Sequence, residues 1–307
     1  MKISIRKLKP EDTIAAERLV MRTYNNLLKQ HGMEPIPYKP TRKQNRFYCH
    51  ILKTDPTLQY AAFANDKLIA YASAMIRDGH WYLAHLFTDQ KMQAKGLGAK
   101  LLKKVMKIPE GEEVHTRSLC TFAFNHYAVQ LYTRFGMYAH TLLPFYSLKR
   151  DKKKKIRNIK NEYKFKVESI TDYQQIEILN RLDKKNRMIY RPEDHKFWID
   201  NELIKGYIFY LNRKVVGYSM TTRDTIIAPV SVTESRYLLP CLTEAINILL
   251  STETESDSIS LWAQGDNGPL QDFLLQHGFK ISENELLMTD RMFGRPECYI
   301  PALLALY

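Results

Sequence analysis

The sequence has few of the features that mark fibrous, disulfide-rich or membrane proteins. Only 12 glycines and 13 prolines occur in 307 residues, which excludes a collagen-like or low-complexity chain. No stretch approaches the ~18 uninterrupted apolar residues of a membrane-spanning helix. The opening segment, MKISIRKLKP, carries charges where a signal peptide needs an apolar region. We therefore expect a cytoplasmic protein that has no membrane partner.

Cysteines are also scarce, and they are far apart. The four are Cys49, Cys120, Cys241 and Cys298, and no two of them form a CxxC pair. This spacing predicts neither a zinc cluster nor a disulfide framework, and it suits a reducing compartment. We expect four isolated thiols and no bound metal.

Basic residues outnumber acidic ones. The chain has 46 lysines and arginines against 33 aspartates and glutamates, which gives a formal net charge of +13. Such a surface attracts anions, and nucleic acid, anionic lipid and a phosphate-rich cofactor are the candidates. The densest basic run lies near the middle of the chain and comprises Lys149, Arg150, lysines 152–155 and Arg157. Its self-repulsion predicts a solvated linker between two domains.

The spacing of apolar residues predicts alternating strands and helices. In the first half, strands are predicted at residues 3–6, 60–64, 68–77, 81–88 and 118–124, with two more within 138–148, and helices at 10–28, 98–106 and 125–135. In the second half, strands are predicted at 165–168, 207–211, 215–221, 225–230 and 258–263, and helices at 172–182, 238–250 and 270–277. This order predicts an α/β fold of the mixed α+β kind, in which helices pack against a central mixed sheet.

The second half of the chain repeats the first. The segment NDKLIAY at residues 65–71 matches NRKVVGY at 212–218, and the interval between Asn125 and Gly136 recurs from residue 267 to residue 278. Tandem copies of one domain explain both matches. The predicted segments are a first domain at residues 1–150, a basic linker at 151–160 and a second domain at 161–307.

The most informative segment follows the predicted strand at 81–88. A loop with two glycines, Gly96 and Gly98, opens a helix there. The first turn of a helix offers free N–H groups and the positive end of the helix dipole, and glycines let an anion approach the backbone closely. Together they indicate a pyrophosphate site. The segment is neither a P-loop nor a GxGxxG fingerprint, which fails at Leu101. A tight turn with a glycine-rich entry is the alternative.

Two motifs give this segment a family context. Gln93-x-x-Gly96-x-Gly98 after an apolar strand resembles the acyl-CoA signature of the GNAT acetyltransferases. The second motif resembles the other signature of that family and reads Asn125-x-x-Ala128-x-x-Leu131-Tyr132-x-x-x-Gly136. The resemblance covers residues 1–150 in outline, and it departs from the family at Gln90, where proline is frequent. It implies acetyl-CoA as the co-substrate and an amine as the acceptor, in a small molecule or a protein.

The resemblance also implies which residues bind the coenzyme. The end of the strand would pair with the pantetheine arm, the following amides would hold the pyrophosphate, and the asparagine and alanine of the second motif would border the cofactor. The implied coenzyme-binding residues are Leu86, Phe87, Thr88, Gln93, Ala94, Lys95, Gly96, Leu97, Gly98, Ala99, Asn125, Ala128 and Tyr132.

Acyl transfer to an amine needs a proton donor for the thiolate and a base for the amine. Tyr132 matches the family position of the general acid, and a phenol with a pKa near 10 keeps its proton at neutral pH. No carboxylate occurs in the strand at 81–88, so His85 is the candidate base. His80, Tyr82 and direct loss of the proton to solvent are the alternatives. The resemblance also implies that His31 and Glu34 line the acceptor site.

The second copy lacks the residues that this chemistry requires. Its segment 231–237 has no glycine, Pro240 falls at the start of the next helix, and Leu274 occupies the place of Tyr132. We therefore expect one coenzyme per chain, with the second copy completing the acceptor pocket or stabilising the first.

A non-catalytic protein is the rival prediction. On the same scaffold, the chain could sense acyl-CoA or bind nucleic acid. The net charge favours the latter, but no RNP, zinc-finger or helix-turn-helix signature accompanies it, and we do not expect a nucleic-acid partner. The sequence indicates no oligomeric state.

Overall fold

The structure, a computed structural model, describes residues 2–38, 45–93, 96–150, 160–222, 226–252 and 256–302. The chain divides into two compact units, Met1–Leu119 and Cys120–Tyr307. Both units contain parallel and antiparallel β-strands with helices packed against them, as the sequence predicts. Within the described residues, no helix is both long enough and apolar enough to span a membrane.

The first unit holds an antiparallel run of four strands and the start of a fifth. The strands are β1 (Ile3–Lys7), β2 (Gln59–Ala64), β3 (Lys67–Arg77), β4 (His80–Thr88) and β5 (Thr116–Phe122), and the helices are α1 (Thr13–Gln30), α2 (Arg46–Thr54) and α3 (Leu97–Val105). Strands β1 to β4 pair as antiparallel neighbours in chain order, whereas β4 and β5 are parallel. The sequence did not predict α2.

Two-residue turns join β2 to β3 and β3 to β4. Asp78 and Gly79, between β3 and β4, have φ angles of 52° and 78°, as in the turns whose twist matches that of paired strands. The strands predicted at residues 68–77 and 81–88 therefore form a hairpin. Asn65 and Asp66, between β2 and β3, have φ angles of 47° and 60°.

The second unit contains the rest of the chain. Its further elements are α4 (His126–Arg134), β6 (Tyr138–Lys149), β7 (Lys166–Ser169), α5 (Ile176–Arg187), α6 (Pro192–Ile199), β8 (Ile204–Leu211), β9 (Lys214–Thr222), β10 (Ile226–Val232), α7 (Leu238–Ser251), β11 (Ser258–Trp262), α8 (Gly268–Gln276), β12 (Lys280–Thr289) and β13 (Tyr299–Ile300). The strands lie in the order β12-β6-β11-β10-β9-β8-β7, and β13 pairs with β10. The sequence did not predict α6, β12 or β13.

Strand β6 is where the structure differs most from the sequence prediction. Two strands were expected within residues 138–148, but β6 is a single strand that lies between β11 and β12 and is antiparallel to both. Tyr146, for example, pairs with Leu261 on one side and Ile281 on the other. Because strands of the second half occupy both of its edges, β6 needs no hairpin partner from its own half.

The predicted linker can be described only in part. Residues 151–159 lie outside the described residues. Arg150, the last residue before them, donates hydrogen bonds from its guanidinium group to the carbonyl oxygens of Leu249 and of Thr252, the latter at 3.2 Å. It therefore donates to carbonyl groups at the end of α7, as cations near helix C-termini do.

Candidate functional site

The end of β4 has an edge that its parallel neighbour leaves open. Pairing between β4 and β5 runs from His80 to Leu83, within the part of the chain that the structure describes. Strand β4 continues to Thr88, and its other edge stays paired with β3, where Phe87 lies opposite Tyr71. The backbone from Ala84 to Thr88 can therefore accept an extended ligand as an added strand.

The loop after β4 leads directly into the N-terminus of α3. The Gln93 side chain donates to the Thr88 carbonyl oxygen at 3.3 Å, and the Asp89 carboxylate accepts from the Lys91 N–H at 3.1 Å. Gly96 is the N-cap of α3 and has a φ of 70°, a conformation that favours glycine. Ala94 and Lys95 lie outside the described residues.

The first turn of α3 has the free groups that an anion site needs. The N–H of Lys100 bonds to the carbonyl of Gly96 at 3.1 Å, so the preceding amides of Leu97, Gly98 and Ala99 come before the first bond of the helix. Such amides, at the positive end of the helix dipole, hold phosphate groups well. Gly96 and the segment 97–99 therefore fit a pyrophosphate.

The second motif forms the start of α4. Asn125 is its N-cap, and its side-chain oxygen accepts from the Ala128 N–H at 3.3 Å. The capping leaves the side-chain NH₂ of Asn125 as the group that could meet a ligand. Tyr132 lies one helical turn beyond Ala128 and is buried, with 6% of its surface exposed. Burial, together with the charge of Glu285, raises the pKa of the Tyr132 hydroxyl, so this group remains a proton donor at neutral pH.

His85 lies in an aromatic cluster on the first unit. Its ring stacks on Tyr48 with centroids 5.0 Å apart, and Phe47, Tyr71 and Phe87 surround it at 5.6, 5.6 and 6.2 Å. Burial lowers the pKa of His85 to about 3, so the imidazole is neutral and takes up a proton poorly. Its Nδ1 atom is buried without a hydrogen-bond partner.

The other candidate base residues lie on β4, and the candidate acceptor residues follow α1. The Nε2 atom of His80 lies 2.6 Å from the Ser118 hydroxyl oxygen, and the His80 ring has Tyr82 at a centroid distance of 6.5 Å. His31 and Glu34 are exposed to solvent.

A buried carboxylate near the aromatic cluster was missed in the sequence. Glu17, on α1, is 4% exposed and accepts a hydrogen bond from the Asn45 side chain at 2.7 Å. Burial, with the nearby charge of Glu17, raises the pKa of Tyr38 to about 12. The signal was a glutamate on the apolar face of the predicted helix at 10–28, next to Ala16 and Val20, where charged residues are rarely found.

In the second copy, α8 has the same asparagine cap as α4 but lacks a tyrosine equivalent to Tyr132. Asn267 caps α8 and accepts from the Leu270 N–H at 3.2 Å, as Asn125 does in α4. Gly278 and Gly136, after the two helices, have φ angles of 82° and 83°. Leu274 is fully buried and has no proton to donate. Among the described residues, no group of three or more histidine, cysteine or acidic side chains could hold a metal ion.

Comparison with known proteins identifies similar chains. Residues 21–137 match the sequence profile of the Acetyltransferase (GNAT) family. No curated protein matches the chain.

Solved structures show a fold shared over almost the whole length. A protein assigned as an acetyltransferase, from Pyrococcus horikoshii, has a TM-score of 0.75 at 13% identity, over 99% of this chain and 96% of its own. A GCN5-related N-acetyltransferase from Sphaerobacter thermophilus has a TM-score of 0.62 at 15% identity, over 96% and 98%. A tandem GNAT protein from the clavulanic acid biosynthesis pathway has a TM-score of 0.62 at 11% identity, over 94% and 98%.

Proposed function

Because residues 21–137 match the profile of the GNAT acetyltransferase family, we propose that the chain is an N-acetyltransferase that transfers the acetyl group of acetyl-CoA to an amine. The acceptor is a small molecule or a protein. The observation that carries the proposal is the open end of β4 followed by Gly96 and the free amides of α3. We assign catalysis to residues 1–150, a linker to 151–160 and a degenerate copy without a coenzyme site to 161–307.

Acetyl-CoA is a substrate of this reaction, and it supplies an activated thioester. In the proposal, Leu86 to Thr88 bind the pantetheine arm and the segment 93–99 binds the pyrophosphate. Asn125 and Ala128 border the same coenzyme.

The chemistry needs a donor for the oxyanion and an acid for the thiolate. We assign the first to a backbone N–H near Phe87 and the second to the Tyr132 hydroxyl, whose raised pKa keeps it protonated. The neutral ring of His85 is suited to hydrogen bonding through Nδ1, but its low pKa makes it a weak base, because general bases work best with a pKa near the working pH.

A thiol-release screen tests the proposal. The full chain is incubated with acetyl-CoA and a panel of primary amines, and free CoA thiol is measured with a chromogenic disulfide. We expect release that depends on one class of amine, and mass spectrometry should show that amine heavier by one acetyl group. Calorimetric binding of acetyl-CoA without thiol release from any amine would favour the non-catalytic sensor.

A further inference from the structure

Glu285 is a buried carboxyl group that the reaction described above does not use. It lies on β12, pairs with Leu143 of β6, and is 5% exposed. The next residue on the same face of β12, Glu283, pairs with Phe145. Burial raises the pKa of Glu285 well above its ordinary value, and the charge of Glu283 raises it further.

The surroundings of Glu285 do not neutralise its charge. The residues of β6 opposite positions 283–287 are uncharged, from Thr141 to Phe145. Among the residues that the structure describes, the charge that acts on Glu285 is another carboxylate and not a lysine or arginine. A buried carboxyl group in this state is unfavourable for folding, and such groups are concentrated at functional sites.

A backbone hydrogen bond links the strand of Glu285 to the segment that precedes the helix of the proposed general acid. The Ala123 N–H, just before the Asn125 cap of α4, donates to the carbonyl oxygen of Asn284 at 3.4 Å, which sets β12 beside the segment that leads into α4. Burial raises the pKa of Tyr132, and the charge of Glu285 raises it further.

We propose that Glu285 is the general base of acyl transfer and takes the proton from the acceptor's ammonium group. This inference rests on the proposed function, and it adds one residue of the segment 161–307 to the catalytic domain assigned to residues 1–150. A hydroxyl that protonates the coenzyme sulfur must lie next to it, and the reacting carbonyl carbon is bonded to that sulfur. The attacking nitrogen approaches this carbon to about 3 Å, so in this proposal the Glu285 carboxylate reaches that nitrogen directly or through one water molecule.

The protons then balance as follows. The Glu285 carboxylate takes one proton from the ammonium group, and the free amine attacks the thioester carbonyl. As the C–S bond breaks, Tyr132 gives its proton to the sulfur, and the protonated Glu285 returns a proton to the Tyr132 oxygen. The second proton of the amine nitrogen leaves to solvent, so the products are the amide, the thiol and one released proton.

The pH dependence follows from the groups that act on Glu285, which are Glu283 on its own strand and Tyr132 on α4. The base must be ionised, so kcat/KM rises with pH as Glu285 loses its proton. The negative charge of Glu283 favours the protonated form of Glu285. Removal of that charge should therefore move the rise of kcat/KM with pH to lower pH.

The experiment compares wild type, Glu285→Gln and Glu283→Gln with the amine found in the screen. We expect Glu285→Gln to lower kcat by about 10²–10⁴-fold and to bind acetyl-CoA as wild type does in calorimetry. We expect Glu283→Gln to keep kcat near the wild-type value and to shift the rise of kcat/KM with pH to lower pH. The pKa of the amine is common to all three proteins, so it cannot produce that shift.

The outcomes separate this inference from the proposed function. A wild-type chain that releases no thiol with any amine refutes the proposed function. If wild type is active, a Glu285→Gln kcat within twofold of wild type refutes the role of Glu285 alone. If Glu285→Gln fails to fold, the Glu283→Gln variant still tests the proposal. A pH profile of kcat/KM that rises at the same pH as in wild type would refute the role of Glu285.

Discussion

Tyr132 joins two properties that a general acid requires, since it is buried and keeps its proton. We expect Tyr132→Phe, which preserves the ring, to lower kcat by about 10²–10⁴-fold with little change in acetyl-CoA affinity. Steady-state thiol release and calorimetry measure the two quantities. Tyr127→Phe is the matched control, because Tyr127 lies on the same helix and is 89% exposed. A Tyr132→Phe kcat within twofold of wild type would remove this residue from the mechanism.

His85 should make the stability of the protein depend on pH. Burial lowers its folded-state pKa to about 3, whereas an unfolded histidine has a pKa of about 6.5. The unfolded state therefore binds the extra proton between these values, and stability is lost as pH falls below about 6.5. At pH 5.5 the loss amounts to about 1.4 kcal/mol.

Urea unfolding at pH 7.5 and 5.5 measures this loss. His85→Phe keeps an aromatic ring in the cluster and removes the titration, so its free energy of unfolding should fall by about 1.4 kcal/mol less than that of wild type. His126→Phe removes an exposed imidazole and serves as the control. Equal losses in wild type and His85→Phe would show that His85 is protonated in the folded protein.

At the scale of elements, the join of β4 to α3 depends on Gly96. Its φ of 70° would hold any other residue in the left-handed region, which costs about 1–2 kcal/mol. An added side chain would also project from the turn that the proposed pyrophosphate approaches. We expect Gly96→Ala to weaken acetyl-CoA binding at least tenfold in calorimetry.

The control for this prediction carries the same strain elsewhere. Gly111 has a φ of 84°, and a Cβ there would meet no atom within 4 Å. Gly111→Ala should lower the melting temperature as Gly96→Ala does, but it should leave acetyl-CoA affinity unchanged. If Gly96→Ala binds acetyl-CoA as tightly as Gly111→Ala does, the loop before α3 is only a turn.

Most elements could be predicted from the sequence because their apolar spacing is local. The helix at 10–28 and the strands of the first hairpins were found in this way. Helix α2 could not be predicted, because it follows a polar segment and because the Asn45 side chain at its N-cap bonds to Glu17 and not to the first amides of the helix. Strand β12 was missed because it pairs with β6, which lies far away in the sequence. The apolar face to which β12 contributes forms only when the two strands pair.

The same limit applies to the candidate site. Gly96, Asn125 and Tyr132 lie in motifs that can be recognised by spacing. Glu285 lies in no motif, and only pairing across β6 and β12 shows that it is buried. The low pKa of His85 likewise depends on Tyr48, from a helix that the sequence did not reveal.

At the scale of the whole molecule, the two copies differ in their capacity to bind an anion. Segment 231–237 has no glycine, and Glu234 there carries a negative charge and pairs with the exposed Arg236 at 3.0 Å. We therefore expect one acetyl-CoA per chain. Calorimetric stoichiometry measures this number directly, and two equivalent sites would overturn the assignment of the second copy.

The pairing of β6 also makes the first copy dependent on the second. A fragment of residues 1–150 keeps β6 but lacks β11 and β12, so Leu143 and Tyr146, both fully buried in the complete chain, would be exposed. Unpaired apolar strands aggregate. We expect this fragment to be insoluble on expression.

The control keeps both parts of the protein. A protease site inserted within residues 151–159 allows the folded chain to be cut, and the two pieces should co-elute in gel filtration because β6 remains held between β11 and β12. A soluble, monodisperse 1–150 fragment would contradict this expectation.

Strand β6 also sets the order of events during synthesis. The ribosome completes β6 at Lys149, but its partner strands begin only at Ser258 and Lys280. At about 5–20 residues per second, the delay before β11 is on the order of ten seconds. Throughout that interval the nascent chain carries an apolar strand with two open edges, which is the kind of segment that chaperones bind. Slower translation beyond residue 150 should therefore lower the soluble yield, and coexpression of a holdase should restore it.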